Sequence, residues 1–180
     1  AEEREKFVWE KCPLHEVILD MVIKHLPDPK QAQLYRIPKI WRGDLETDFG
    51  KSLQYCDPKG EVAFIITRIL IEPKSGREIS AGRLYSGTIQ DGMHVYLNNA
   101  KQTQRVAAVF MYQGIKTEMF NDVPCGNVLA IAGISGNAGE TITVQPQHPF
   151  EELKHIFEPV ITKAIQADKP QDLTKLVEVL

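Results

Sequence analysis

Apolar residues recur at helical spacing early in the chain and crowd together further on. Leu14, Val17, Ile18, Met21 and Val22 fall at i, i+3, i+4, i+7 and i+8, which predicts a helix from Leu14 to Leu26. Pro13 suits its first turn and Pro27 ends it. Leu19, Ile23 and Leu26 lie off that stripe, so the helix is apolar round much of its circumference. One packed face needs less than this. The pattern is that of a helix ending a preceding domain and expecting a partner there. Residues 1–12 are polar and predict little.

From 27 to 60 the chain is punctuated by Pro27, Pro29, Pro38 and Pro58 and by Gly43, Gly50 and Gly60. Leu34, Tyr35, Ile37, Ile40 and Trp41 make it too apolar for a free linker, so it is expected to pack along a surface as an ordered strap.

Residues 61–146 have a different pattern. Val62 to Ile71 is apolar at nearly every position, interrupted by Thr67 and Arg68, which predicts a strand covered on both faces. Pro73-Lys74-Ser75-Gly76 predicts a turn. Residues 78–97 read as two strands joined by Asp91-Gly92, a hairpin signal because such turns need residues that tolerate positive φ. Gly82 and Gly87 inside the first of them point to a sharp bend. Further strands are predicted at 104–112, 127–134 and 140–144. A bend at Gly114, a turn over 121–126 and a glycine-rich loop over 133–139 separate them. The expected fold is mainly β, a closed antiparallel β-barrel that folds without its flanks. After it come a strand over 157–166 and a helix with Leu173, Leu176, Val177 and Leu180 on one face.

Composition narrows the function classes. In 180 residues, 43% hydrophobic and 25% charged, there is room for one domain and pieces of others. A net charge of -3 argues against a generic nucleic-acid-binding protein, and no apolar run is long enough to span a membrane. No secretory h-region follows the charged first residues. The three cysteines, Cys12, Cys56 and Cys125, include no C-x-x-C pair, which favours free thiols in a reducing, cytoplasmic setting.

Catalytic motifs are not found. Residues 133–139 lack the lysine and the helix that a phosphate loop requires. His15, His25, His94, His148 and His155 show no zinc spacing, Glu151-Glu152 are merely adjacent, and no G-x-S-x-G occurs. Within 61–148 basic and acidic residues balance at seven each, so no domain-wide electrostatic footprint for nucleic acid exists. A local one does: Lys74, Arg77 and Arg83 are expected to lie close together across the first hairpin, although any one of them is more often a solvated charge.

The stretch from Arg83 to Val95, RLYSGTIQDGMHV, resembles the signature of the second domain of translational GTPases. Gln33 to Asp44 and Cys56-Asp57-Pro58-Lys59-Gly60 resemble the connector of the elongation factor two family of archaeal and eukaryotic translocases; the bacterial relative, elongation factor G, has a shorter connector. Residues 13–27 resemble the last helix of that family's GTPase domain, 124–133 and 139–141 its second domain, and 157–165 and 173–180 the start of its third. Two positions depart from the pattern: Glu61 where proline is expected, and Cys125 where alanine is expected.

The resemblance implies a fragment in four parts. Residues 1–27 would end a GTPase domain, 28–60 form the connector, 61–148 the second-domain barrel, and 149–180 begin a third domain. It further implies that the fragment is not an enzyme and holds no cofactor or metal, while its parent is a GTPase using GTP and magnesium. The partners implied are small-subunit ribosomal RNA, contacted through Lys74, Arg77 and Arg83 unless these bridge to the GTPase domain, and the GTPase and third domains of the same chain. Two alternatives stand beside this. One is the same domain in an initiation- or release-type translational GTPase. The other is a free-standing β-barrel enzyme with a small-molecule site, which would need a pocket of converging polar groups.

Overall fold

A computed structural model of the chain describes residues 2–11, 13–71, 76–114 and 116–151. The strand and helix expected beyond residue 156, Cys12 and Lys74 lie outside the described residues.

The N-terminal part is helical: α1 (Glu2–Lys11), α2 (Leu14–His25), α3 (Pro29–Ile40) and α4 (Asp48–Tyr55). The strap anticipated over 27–60 is therefore ordered as two helices, with Pro38 inside the first and Gly50 inside the second. Asp28 caps α3 by accepting from the Gln31 N–H at 2.8 Å, with Pro29 in the first turn where its missing N–H costs nothing. Pro38 falls in the last turn, two residues before the helix ends. Thr47 caps α4 by accepting from the Gly50 N–H at 3.0 Å, and Cys56 ends it in the left-handed conformation at φ 52°.

The strands are β1 (Ala63–Ile71), β2 (Glu78–Ser86), β3 (Thr88–Gln90), β4 (His94–Leu97), β5 (Gln102–Arg105), β6 (Ala108–Gln113), β7 (Lys116–Phe120), β8 (Asp122–Pro124), β9 (Val128–Ala132) and β10 (Thr141–Thr143). Eight of them form one antiparallel sheet in the order β5-β4-β10-β1-β2-β9-β6-β7, and β3 pairs with β8 apart from it. The order is open, with β5 and β7 at its edges. Phe64, Leu84, Ile89, Val95, Val109, Val123, Leu129 and Ile142, from eight different strands, nevertheless meet in one buried core, so the sheet curls around it.

Three local expectations are corrected. The Asp91-Gly92 turn exists, closed by the Met93 N–H donating to the Gln90 carbonyl at 3.3 Å. It makes a corner and not a hairpin: β3 leaves for β8, while β4 pairs with β5 and β10. The run before it is two strands, because Gly87 at φ +74° breaks it where an added Cβ would meet Val62 backbone at 2.7 Å. The strand expected over 104–112 is divided at Val106-Ala107 into β5 and β6. Gly82 marks a close approach of backbones: a Cβ there would fall 1.9 Å from the Ile65 carbonyl oxygen, beside a bulge at Thr67 of β1.

β1 separates two cores. Phe64 and Ile66 face the sheet interior, whereas Ala63 and Ile65 face the strap. There they join Tyr85, Phe150 and the strap residues Ile37, Trp41, Phe49 and Leu53. Trp41 and Phe49 meet edge to face at 5.5 Å. The Trp41 indole N–H donates to the His148 carbonyl at 2.7 Å, and a β-bridge joins Trp41 to Phe150. The near-continuous apolar run of β1 is thus covered on both faces over its first half; past Ile66 it becomes exposed or half-buried. The sheet domain shares its outer face with the strap, so the expectation that it folds alone meets a second core spanning both.

Candidate functional site

Arg83 sits near the end of β2, directly across from Ile65 and Val128. Cross-strand partners share a face, so Arg83 lies on the strap side of the sheet, between buried Ile65 and exposed Val128. Its guanidinium stands 5.6 Å from the centre of the Tyr85 ring, within cation–π range. Its Nε is buried with no hydrogen-bond partner. Arg77 precedes β2, is exposed, and lines an open groove with Gly133, Ile134 and Ser135. Six residues of strand, roughly 20 Å, separate the two arginines. Arg77 lies before β2 and Arg83 in its second half, so the two are set apart along the chain direction; Lys74 lies outside the described residues.

The glycine-rich loop over 133–139 is a structural closure. The Ser80 hydroxyl donates to the Ile134 carbonyl at 3.2 Å, Ser135 exchanges two hydrogen bonds with the Gln104 side chain, and the Gly139 N–H donates to Ile66. The Ser135 and Gly139 N–H groups are thereby spent on the protein itself. Among the described residues no three His, Cys, Asp or Glu side chains converge as metal ligands, and no helix is long and apolar enough to cross a membrane.

Sequence reasoning missed the side chains that join strap to sheet. Gln33 is fully buried, and its Nε2 donates to the Leu53 carbonyl at 2.5 Å and the Tyr85 carbonyl at 2.8 Å. The first is one of the carbonyls left unpaired at the end of α4, so one amide closes a helix terminus and grips β2. No local pattern flags this, since Gln33 is polar in a polar stretch. The two departures from the family pattern were visible, and each makes a contact. Glu61 accepts from the Gln145 N–H and the Gln147 Nε2, both at 2.9 Å, tying the start of β1 to the segment that returns under Trp41. Cys125 brings its Sγ to 3.4 Å from the Sγ of Cys56. Both are free thiols. Burial, the hydrogen bond with Cys56 and the nearby charges of Cys56 and Asp57 push the Cys125 thiol up to about 12, against a lowering backbone hydrogen bond.

The curled antiparallel sheet, with β1 and β2 in close approach at Gly82, defines a class of domain. Residues 78–143 match the family described as Elongation factor Tu domain 2. Nearly the whole chain, strap and α2 included, is similar to elongation factor 2 proteins. It is 48% identical over 181 residues to that of Archaeoglobus fulgidus, covering 99% of this chain and 25% of the relative. With that of Thermococcus kodakarensis the identity is 46% over 176 residues, covering 97% and 24%. With that of Nanoarchaeum equitans it is 43% over 189 residues, covering 100% and 25%. The chain belongs to the elongation factor 2 family, and it spans about a quarter of the length of the curated relatives it matches.

Proposed function

We propose that this chain is a non-catalytic part of an elongation factor 2-type ribosomal translocase acting in the cytoplasm. Residues 1–27 end its GTPase domain, 28–60 form the strap, 61–148 the second-domain β-barrel, and 149–180 open the third domain. The barrel docks on small-subunit ribosomal RNA and couples the GTPase domain to the rest of the factor as tRNA and mRNA are moved. GTP and magnesium belong to the parent's GTPase domain. The observation that supports this best is the similarity over 97–99% of the chain, which takes in α2, strap and sheet together. On this reading the exposed Arg77 and its neighbour Lys74 face RNA, and half-buried Arg83, held on the strap side against Tyr85, serves the contact between domains.

Substitutions in the complete factor test it. Arg77→Ala should weaken ribosome binding and make the log-log salt dependence shallower by roughly one unit or less, as loss of one phosphate contact does. Arg83→Ala should leave that slope unchanged. An unaltered slope for Lys74→Ala and Arg77→Ala alike would remove this end of the sheet from the RNA surface.

A further inference from the structure

The structure assigns Cys56 and Cys125 to a reversible disulfide site that fastens the helical strap to the sheet when the surroundings turn oxidising. Cys56 ends α4, and Cys125 follows β8 in a turn 69 residues further on. Their sulfurs are 3.4 Å apart without a bond. A disulfide needs about 2.05 Å, so the two sulfurs must close a little over 1 Å to bond. The backbone on both sides is held for such an approach: the Cys125 N–H donates to Gly87 at 2.9 Å, and the Gly87 N–H donates to Asp57 at 2.8 Å. The strap end and the sheet turn are thus bonded to the same residue. Gly126 lets the turn lie against the strap, since a Cβ there would stand 3.3 Å from the Cys56 sulfur.

Access exists from outside. An open groove lined by Lys30, Asp48, Lys51 and Asp57 reaches Cys56. The oxidant is a small disulfide of the oxidised-glutathione class. Cys56, as its thiolate, attacks one sulfur of that disulfide and releases one thiolate, leaving a mixed disulfide. Cys125 then loses its proton to solvent, attacks the Cys56 sulfur and expels the second thiolate. One small disulfide is reduced to two thiols, and two protein thiols become one disulfide. Cys56 lines that groove, so its sulfur is the one the oxidant meets there. Capping Cys56 removes its hydrogen bond and its charge, two of the causes that hold the Cys125 thiol up.

The test uses the full chain carrying Cys12→Ser, treated with oxidised glutathione. The expected result is a mass loss of about 2 Da and a linked peptide pair containing Cys56 and Cys125 on non-reducing digestion, both reversed by dithiothreitol. Closing a long loop should also raise Tm by several degrees, a rise absent when Cys125→Ser is added. Two free thiols after treatment, or a glutathione adduct that persists on Cys56 with no linked peptide, would overturn the assignment; the peptide map reads this on a chain with both cysteines in place.

Discussion

α2 and the strap helices carry opposite lessons about apolar surface. α2 is the longest run of apolar residues at helical spacing, yet it buries no residue: Leu14 is 72% exposed and Ile23 78%. α3 has a weaker pattern with Pro38 inside it, and α4 is short and contains Gly50, yet Ile37 and Leu53 are wholly buried. Periodicity reports that a face is apolar; whether it is covered depends on what the chain brings against it. For the strap, β1, Tyr85 and Phe150 supply that cover.

The largest way to sharpen the contrast is truncation. Residues 28–151 should unfold in urea at a midpoint close to that of the whole chain, whereas 61–151, stripped of the strap, should show a far lower midpoint or no cooperative transition. Equal midpoints for the two pieces would mean the second core contributes nothing. Next in size is a single side chain on each element. Trp41→Ala removes the ring contact with Phe49 and the bond to His148, and should cost about 3–5 kcal/mol. Ile23→Ala on α2 should change stability by less than about 0.5 kcal/mol. Matching losses from both would erase the distinction. Gln33→Ala should cost about 1–3 kcal/mol, because it leaves two buried carbonyls unpaired; a neutral result by urea titration would show that water replaces the amide.

The smallest effect is confined to alkaline solution. Cys125 is raised from 9.0 to about 12, so between those values the folded chain keeps a proton that the unfolded chain has released. Its contribution is therefore full below pH 9 and is lost as pH rises through 12. The urea midpoint of the native sequence should fall more steeply above pH 9 than that of Cys125→Ala. Parallel curves would contradict the raised thiol.

Much of this was legible in the sequence, and the gaps have physical causes. α2 and β1 were readable because their apolar positions are dense and correctly spaced. The strap helices were not, because Pro29 and Pro38 read as breakers: Pro29 sits in the first turn, where a missing N–H costs nothing, and Pro38 comes only two residues before α3 ends, so the helix gives up one hydrogen bond in its last turn and goes no further. β7 went unseen because Lys116–Phe120 is exposed along nearly all its length and carries no alternation. Asp91-Gly92 was correctly read as a turn but wrongly as a hairpin, since a dipeptide encodes the reversal of the chain and not the partner that each strand then chooses. Arg77 and Arg83 were expected close together across a hairpin; Arg77 instead precedes β2 and Arg83 lies within its second half.

The two-sided burial of β1 has a consequence for how its alignment with its neighbours is specified. A strand with one apolar face resists slipping by one residue, because the slip would turn that face to water. β1 lacks that safeguard over Ala63–Ile66: a slip would carry Ile65 into one core and Phe64 into the other, exchanging hydrophobe for hydrophobe. Shape must hold the alignment instead. The notch at Gly82, too tight for any Cβ, accepts the Ile65 carbonyl and the Phe64 ring at one setting, and the bulge at Thr67 fixes the count of residues beyond it. Gly82→Ala would therefore threaten more than local fit, because it removes the mark by which this strand finds its place.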